Sequence, residues 1–139
     1  MILVRLIYTS TVTEDFVPAE IDHILKTARA NNKNRNVTGL LCFNNTFFLQ
    51  CLEGSREQVN NTYQKILNDK RHTNITILSY SEIIEREFHE WSMGYMPNSS
   101  LTTPLNLKYS STPDFNPYEM SGDSTQRLMF LLKEGMEVD

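Results

Sequence analysis

The sequence predicts an α+β fold in which one β-sheet carries two helices on one face and a C-terminal helix on the other. Three observations support this prediction. Apolar runs of strand length alternate with two segments of helical periodicity, in the order βαββαβ followed by one more strand. The first of these strands is apolar on both faces, so both faces of the sheet need cover. A last apolar run near the C-terminus provides the second cover.

The first strand is predicted over residues 2–8, and a polar, turn-like segment follows it. Val4, Leu6 and Tyr8 share one face of this strand, because alternate residues of a strand point to the same side. Ile7 lies on the opposite face. The pattern is typical of a central strand that is covered on both sides.

The first helix is predicted over residues 18–30, where apolar residues recur at helical spacing. Pro18 stands near its start, a position at which proline is tolerated. Asn31, Asn32 and Asn34 form helices poorly, so the sequence predicts that the helix ends before them.

A β-hairpin is predicted over residues 37–52. Its tight turn is placed at Asn44 and Asn45, because asparagine tolerates positive φ angles. With that turn, Cys42 pairs near Phe47 and not with the second cysteine. We therefore expect no disulfide between the two cysteines.

The second helix begins at a capping box made by Ser55 and Gln58. A fourth strand is predicted over residues 75–84. A short fifth strand contains Trp91 and Met93, which share a face at period two and are typical core residues.

This order of elements fits a ferredoxin-like sandwich, in which the first and third strands are neighbours. Residues 98–122 are rich in Ser, Thr, Asn and Pro, and a final helix follows with Asp123 or Ser124 as its N-cap. Three leucines of this helix are expected on the sheet face that the other helices leave bare: Leu128, Leu131 and Leu132.

The composition is that of one globular domain. The chain has 139 residues, of which 40% are hydrophobic and 22% charged, and its net charge is −4. The acidic balance argues against nucleic-acid binding through a broad basic surface. No apolar stretch approaches the roughly 20 residues of a membrane span, and the N-terminus predicts a strand and not a signal peptide. With only two cysteines, a cytoplasmic location is expected.

Signatures of metal and phosphate-loop chemistry are missing from the sequence. The three histidines and two cysteines do not stand at metal-ligand spacing, so we expect no metal site. The five glycines are scattered singly, and no Walker A or GxGxxG pattern occurs.

Gln50 is a polar residue on an apolar strand face, which it shares with Phe48 and Leu52. A buried amide needs partners, because leaving it unsatisfied costs about 1–3 kcal/mol. Tyr8 lies on the neighbouring strand, so the two side chains meet if both face the helices. The pair is either a self-satisfied core contact or part of a functional site, and the pattern leaves both interpretations open.

Two polar runs at the helix ends are a second candidate feature. Their candidate residues are Asn31, Asn32, Arg35, Asp69, Arg71 and His72. Amides suit the edge of a planar heterocycle and basic side chains suit a phosphate, although solvated helix ends are the alternative. Ile24 and Ile66, one on each helix, could wall a slot for a flat ring, and ordinary core packing explains them equally well.

Five segments, in order and at family-like intervals, resemble the BLUF family of blue-light sensors using flavin. They are residues 8–10, 31–41, 47–54, 69–75 and 88–94. The resemblance implies a flavin-binding photosensor domain over residues 1–97. Residues 98–139 then form a helical extension that caps the sheet.

The resemblance implies a non-covalent flavin between the two helices, with FAD as the usual occupant and FMN as the alternative. Tyr8 matches the light-reactive tyrosine of the family and Gln50 its switching glutamine. Trp91 and Met93 match the strand that relays the signal. The other residues expected to bind the cofactor are Ile24, Asn31, Asn32, Arg35, Phe48, Ile66, Asp69, Arg71 and His72.

The function implied by the resemblance is that of a sensor and not of an enzyme. Light drives electron and proton transfer from Tyr8, which rearranges the hydrogen bonds of Gln50 to the flavin and gives a reversible, red-shifted signalling state. Because 139 residues leave no room for an attached output enzyme, we expect a downstream protein partner, for example a transcription regulator, or a change of homo-oligomer. Neither direct nucleic-acid binding nor a membrane is expected.

Two other functions are open on a ferredoxin-like fold without flavin. A phosphatase-like enzyme needs a phosphate-binding arginine in a strand-to-helix loop, and residues 9–15 contain no arginine and two acids. An RNA-binding module needs aromatic residues with basic neighbours on the open sheet face. Phe47 could serve there, but the acidic balance and the covering tail argue against this function.

Overall fold

The computed structural model describes residues 2–136. Within this range five strands form one sheet, in the order β4-β1-β3-β2-β5. The strands are β1 (Leu3–Val12), β2 (Thr38–Phe43), β3 (Phe47–Ser55), β4 (His72–Ile83) and β5 (Gly94–Met96). The helices are α1 (Ile21–Arg35), α2 (Arg56–Leu67), α3 (Thr103–Tyr109) and α4 (Gly122–Lys133). Neighbouring strands are antiparallel, except that β2 and β5 are parallel.

The order of the elements confirms the predicted α+β, ferredoxin-like sandwich. Strand β1 lies between β3 and β4, so the first and third strands are neighbours as expected. Val4, Leu6 and Tyr8 are buried in the apolar cluster that includes residues of α1 and α2. Ile7 belongs to a second cluster on the opposite face, together with Leu128 of α4. The predicted division of β1 into two covered faces is therefore confirmed.

Helix α1 is longer than predicted. It runs to Arg35 and includes the asparagines that were expected to end it. It ends at Asn36, which takes the left-handed conformation with a φ of 55°. Asn32 stays helical because its side chain donates a buried hydrogen bond of 2.7 Å to the carbonyl oxygen of Ser92. The prediction of an end at residue 30 is wrong, since this tertiary contact outweighs local propensity.

The hairpin between β2 and β3 turns one residue later than predicted. Asn45 has a φ of 73°, and the side-chain oxygen of Asn44 accepts hydrogen bonds of 3.1 and 2.8 Å from the backbone N–H groups two and three residues ahead. Cys42 therefore lies opposite Leu49, two residues beyond the Phe47 near which it was predicted to pair. Both cysteines of the chain are buried and free.

The fifth strand is shorter than predicted and pairs with β2. Trp91 and Met93 precede it in irregular backbone, so the period-two rule does not apply to them. Met93 is fully buried in the cluster that includes α1 and α2, whereas Trp91 is buried in the cluster on the opposite face. The prediction that these two residues share a face is wrong.

The C-terminal segment packs on the sheet face opposite α1 and α2, as predicted. The Ser121 hydroxyl accepts a hydrogen bond of 3.0 Å from the backbone N–H of Ser124. Ser121 is therefore the N-cap of α4, and the predicted caps, Asp123 and Ser124, lie inside the helix. The serine- and asparagine-rich run before α4 also holds the short helix α3, which the sequence analysis does not predict.

The predicted packing of three leucines of α4 is confirmed for two of them. Leu128 is fully buried and Leu132 packs at the edge of the same cluster. Leu131 is 37% exposed, because it lies on the outer side of the helix. Within residues 2–136 the structure contains no helix of the length and hydropathy that crossing a membrane requires.

Candidate functional site

A pocket of about 240 Å³ lies between α1 and α2, on the sheet face that these helices cover. Ile24 of α1 and Ile66 of α2 contribute its apolar walls, and Tyr8 and Gln50 of the sheet contribute polar groups. Apolar walls with a few converging polar groups are the usual composition of a small-molecule site.

Tyr8 and Gln50 lie directly opposite each other on β1 and β3. The Tyr8 hydroxyl donates a hydrogen bond to Oε1 of Gln50, and Nε2 of Gln50 donates to Sδ of Met93 at 3.4 Å. A thioether is a weak acceptor. A ligand that presents a carbonyl oxygen in this pocket is therefore a better partner for Nε2 than the one the protein supplies.

Burial raises the pKa of the Tyr8 hydroxyl far above its ordinary value, and the neighbouring Tyr63 and Asp69 raise it further. The ring of Tyr8 lies 5.7 Å from that of Tyr63 and 6.3 Å from that of His72, measured between centroids. Tyr8 is thus held as a neutral phenol whose proton is directed at Gln50.

Two side chains of α1 hold the backbone around Met93. Nδ2 of Asn32 donates to the carbonyl oxygen of Ser92 at 2.7 Å, and Nε of Arg29 donates to that of Met93 at 2.9 Å. Asn32 is 2% exposed and also lines the pocket. The Asn32 side chain therefore lines the pocket and also bonds the backbone next to Met93.

His72 is held at the pocket wall through both ring nitrogens. Nε2 lies 2.7 Å from the carbonyl oxygen of Ile66 and donates to it, because a carbonyl only accepts. Nδ1 lies 2.7 Å from the Ser10 hydroxyl and accepts from it in the neutral ring. Both polar atoms of the His72 ring are therefore already engaged within the protein.

The rim of the pocket beyond α2 carries an ion pair. Arg71 donates to both carboxylate oxygens of Asp69, with Nε 2.9 Å from Oδ1 and Nη2 2.6 Å from Oδ2, and lies 3.6 Å from Glu20. The hydrogen bonds from Arg71 lower the pKa of Asp69. In the part of the chain that the structure describes, no three His, Cys, Asp or Glu side chains are grouped to hold a metal ion.

The structure brings all the predicted site residues except Trp91 to this pocket. They are Tyr8, Ile24, Asn31, Asn32, Arg35, Phe48, Gln50, Ile66, Asp69, Arg71, His72 and Met93. Trp91 lies on the other side of the sheet, with its ring 6.5 Å from that of Phe88. The roles of these residues stay a prediction.

The pocket also contains residues that the sequence analysis does not name. They are His23, Thr27, Ala28, Leu41, Thr62 and Lys65. Helical spacing could have found Thr27, Ala28 and Thr62, which lie three or four residues from predicted contact positions on the same helix. Leu41 stands opposite Gln50 in the true hairpin register, which the misplaced turn conceals.

Residues 3–94 match the model of one protein family, whose description is BLUF, sensors of blue-light using FAD. This range contains every residue that lines the pocket. The chain belongs to the BLUF family. The expected sensor class is confirmed by this match, and FAD is the cofactor that defines the family.

Curated BLUF relatives are much longer than this chain. The blue light- and temperature-regulated antirepressor BluF of Escherichia coli strain K12 is 37% identical over 91 residues, which are 66% of this chain and 23% of the relative. The beta subunit of the photoactivated adenylate cyclase of Euglena gracilis is 32% identical over 102 residues, 73% of this chain and 12% of the relative. The chain thus spans less than a quarter of either relative.

Two solved BLUF structures are similar to the chain over nearly its whole length. BlsA in its photo-activated state has a TM-score of 0.87 at 29% identity and covers 99% of each chain. BlrB in its dark state has a TM-score of 0.78 at 27% identity, covering 94% of this chain and 97% of its own. The similarity therefore extends from the BLUF segment into the C-terminal helices.

The pocket suits the flavin ring of the cofactor that the BLUF family uses. Ile24 and Ile66 offer apolar walls for a flat ring system, and Asn32 and Gln50 offer amides for its polar edge. FMN, with the same ring, is accommodated by the same groups.

Proposed function

We propose that this chain is a blue-light photoreceptor in which Tyr8 and Gln50 form the switch. The observation that carries the proposal is the buried series of hydrogen bonds from Tyr8 to Gln50 and from Gln50 to Met93. It joins a proton donor, an amide that both donates and accepts, and a weak acceptor. All three groups line one pocket.

A bound flavin, when excited by blue light, supplies a strong one-electron oxidant and a ring carbonyl that accepts hydrogen bonds. Tyr8 would give an electron to the excited flavin, because a phenol is readily oxidised, and its proton would follow because the oxidised phenol is a strong acid. Oε1 of Gln50 is the atom toward which that proton is already directed. Electron and proton would then return to Tyr8, so no substrate would be consumed and no covalent adduct would form.

Gln50 stores the result as a change of hydrogen-bond partners. An amide donates at Nε2 and accepts at Oε1, so rotation or a tautomeric shift exchanges the two functions. The exchange would break the bond of Nε2 to the Met93 sulfur and would make an amide donor of Gln50 available to a carbonyl of the flavin ring. The dark and lit states then differ by a local rearrangement that biases a two-state element.

We propose the segment around Met93 as that element, with residues 1–97 as the sensor and 98–139 as the extension that responds. Met93 is followed by Gly94, and a Cβ at Gly94 would collide with the side chain of Met136 in the C-terminal segment. A shift of the backbone at Met93 would therefore change the packing of Met136 near the end of the extension.

A second connection to the extension runs through Glu53. Its carboxylate accepts hydrogen bonds from the backbone N–H groups of Glu87 and Phe88, at 3.1 and 2.7 Å, and pairs with Arg5 at 2.7 Å. The Arg5 guanidinium lies 4.9 Å from the ring centroid of Phe130 in α4. One buried carboxylate thus holds the loop that leads to Met93 on the sheet, and its partner Arg5 contacts α4.

The output of this photoreceptor is proposed to pass to a separate protein, for example a transcription regulator. The Escherichia coli relative is named an antirepressor and the Euglena relative a photoactivated adenylate cyclase subunit, which supports regulation of an effector by the light-sensing segment. A change of homo-oligomer is the other route by which the extension could act.

The test is the absorption spectrum of the purified full chain with bound FAD, recorded in the dark and under blue light. We expect a flavin band that moves reversibly to the red in light and recovers in the dark. A chain that holds flavin but shows no reversible shift contradicts the proposed photoreceptor. A chain that cannot be loaded with flavin contradicts the assignment of the pocket.

A further inference from the structure

We propose that Arg29 is a positioning residue of the switch, which holds Met93 beside Gln50 and thereby sets how long the lit state lasts. Nε of Arg29 donates a hydrogen bond of 2.9 Å to the carbonyl oxygen of Met93. This inference rests on the proposed function, because it takes the segment around Met93 to move when Gln50 changes its hydrogen-bond partners.

Met93 is held at its side chain and at its backbone by different elements. The side chain is fully buried, and its Sδ accepts from Nε2 of Gln50 at 3.4 Å. The carbonyl oxygen accepts from Arg29 of α1. A thioether is a weak acceptor, whereas hydrogen bonds from a charged group are strong ones. The bond from Arg29 is therefore the stronger of the two, and it does not depend on the orientation of Gln50.

Helix α1 supplies the donors to two successive carbonyl groups of this segment. Asn32 donates to the carbonyl of Ser92 at 2.7 Å, and Arg29 donates to the next carbonyl along the chain. The two donors are three residues apart, so they lie on one face of α1. A movement of this backbone away from α1 has to break both bonds.

The two donors differ in their relation to the flavin pocket. Asn32 lines the pocket, and Arg29 is not among the described residues that do so. A change at Asn32 therefore alters the cofactor site as well as the segment. A change at Arg29 leaves the pocket lining intact and weakens only the hold on the Met93 backbone.

The bond from Arg29 biases the segment toward its position beside Gln50. Light would have to break or stretch this bond to move the backbone at Met93, and re-forming the bond would draw the backbone back in the dark. The lit state should therefore last longer in a chain that lacks this donor.

Two variants separate the hydrogen bond from the charge of Arg29. Arg29→Gln keeps an amide nitrogen at the same place along the side chain as Nε, whereas Arg29→Met has a similar length and no donor. Glutamine and methionine both form helices well, so α1 should tolerate either residue. Both variants lose the charge, so a difference between them reports the bond from Nε.

The first measurement is the recovery rate of the red-shifted flavin band after a blue-light pulse, in the full chain with bound FAD. Arg29→Met should recover about tenfold more slowly than the wild type, a factor that one hydrogen bond to a charged group can supply. Arg29→Gln should recover within about threefold of the wild type, because a neutral bond is weaker. The size of the red shift should be unchanged in both, since Tyr8 and Gln50 are intact.

The matched control is Lys26→Met, which removes a cation from an exposed position one turn earlier on α1. This variant should recover at the rate of the wild type. An effect of net charge, or of methionine on the surface of α1, would slow it as well.

The second measurement is hydrogen exchange of residues 91–96 in the dark, which involves no photochemistry. Arg29→Met should exchange about tenfold faster than the wild type over this segment, because one bond fewer opposes its local opening. Arg29→Gln should exchange more slowly than Arg29→Met.

Wild-type recovery and wild-type exchange in Arg29→Met overturn the role of Arg29 and leave the flavin switch intact. Faster recovery in Arg29→Met, or equal slowing of Arg29→Met and Arg29→Gln, overturns it as well, because the bond from Nε would then not be the cause. A wild type that shows no reversible red shift contradicts the proposed function, and this inference with it.

Discussion

The Tyr8 hydroxyl donates a hydrogen bond to Oε1 of Gln50, its register partner across β1 and β3. Both side chains are buried and both line the pocket between α1 and α2. Because paired strands fix the separation of opposite residues, the backbone itself holds this donor and acceptor together. A change in the bonding of Gln50 reaches Met93 directly, since Met93 is its other partner.

The first prediction concerns the hydroxyl of Tyr8. Tyr8→Phe is expected to bind flavin and to lose the light-induced red shift, because the ring remains while the proton donor is removed. The matched control is Tyr63→Phe, which removes a hydroxyl from the ring 5.7 Å away and should keep the shift. Light-minus-dark absorption spectra measure both variants. A normal red shift in Tyr8→Phe contradicts the role assigned to this residue.

The raised pKa of Tyr8 predicts how stability depends on pH. In the unfolded chain a tyrosine loses its proton near pH ~10, whereas burial keeps Tyr8 protonated in the folded chain. The free energy of unfolding therefore falls as pH rises above about 10, by up to about 1.4 kcal/mol per pH unit for this one proton. Tyr8→Phe should lessen that slope. Urea unfolding between about pH 9 and about pH 11 measures it, and equal slopes for the two proteins refute the prediction.

The proximity of Tyr8 and Gln50 could be predicted from sequence, although not their exact register, because two simple rules place them on neighbouring strands and on one face. Alternation along a strand decides which side chains share a face, and the order βαββαβ makes the first and third strands neighbours. The apolar positions Ile24 and Ile66 followed from helical periodicity in the same way. Regular elements near the pocket were therefore accessible to sequence reasoning.

The placement of Trp91 and Met93 could not be predicted, because their segment alternates like a strand in sequence but has irregular backbone in the structure. Its shape depends on long-range hydrogen bonds, from Asn32 to the carbonyl of Ser92 and from the backbone N–H of Gly39 to the carbonyl of Trp91 at 3.0 Å. Local patterns carry no information about such partners.

The third prediction compares a buried ion pair with an exposed ion pair. Glu53→Gln leaves the Arg5 guanidinium buried without its charge partner, so the free energy of unfolding should fall by about 3 kcal/mol. The control is Glu82→Gln, because the side chains of Arg56 and Glu82 are 52% and 66% exposed. That change should cost less than about 1 kcal/mol. Urea unfolding measures the free energy of unfolding of both variants. Equally small decreases in the two variants would show that Glu53 does not hold the loop on the sheet.

The fourth prediction concerns the response of the C-terminal extension. If movement at Met93 alters its docking, hydrogen exchange of residues 98–139 should be faster under continuous blue light than in the dark. The Gln50→Leu variant should show the same hydrogen exchange in the dark and under blue light, equal to that of the wild type in the dark. Identical protection of the wild type in dark and light eliminates the extension as the output and leaves this role to another surface.

The most direct test of the central claim is the light-minus-dark absorption spectrum of Gln50→Leu beside that of the wild type. Leucine has nearly the volume of glutamine and lacks both amide functions, so the pocket should still hold flavin. The account predicts a reversible red shift of the flavin band in the wild type and none in Gln50→Leu at equal flavin content. The same reversible shift in both proteins would contradict it, because the switch would then lie outside Gln50.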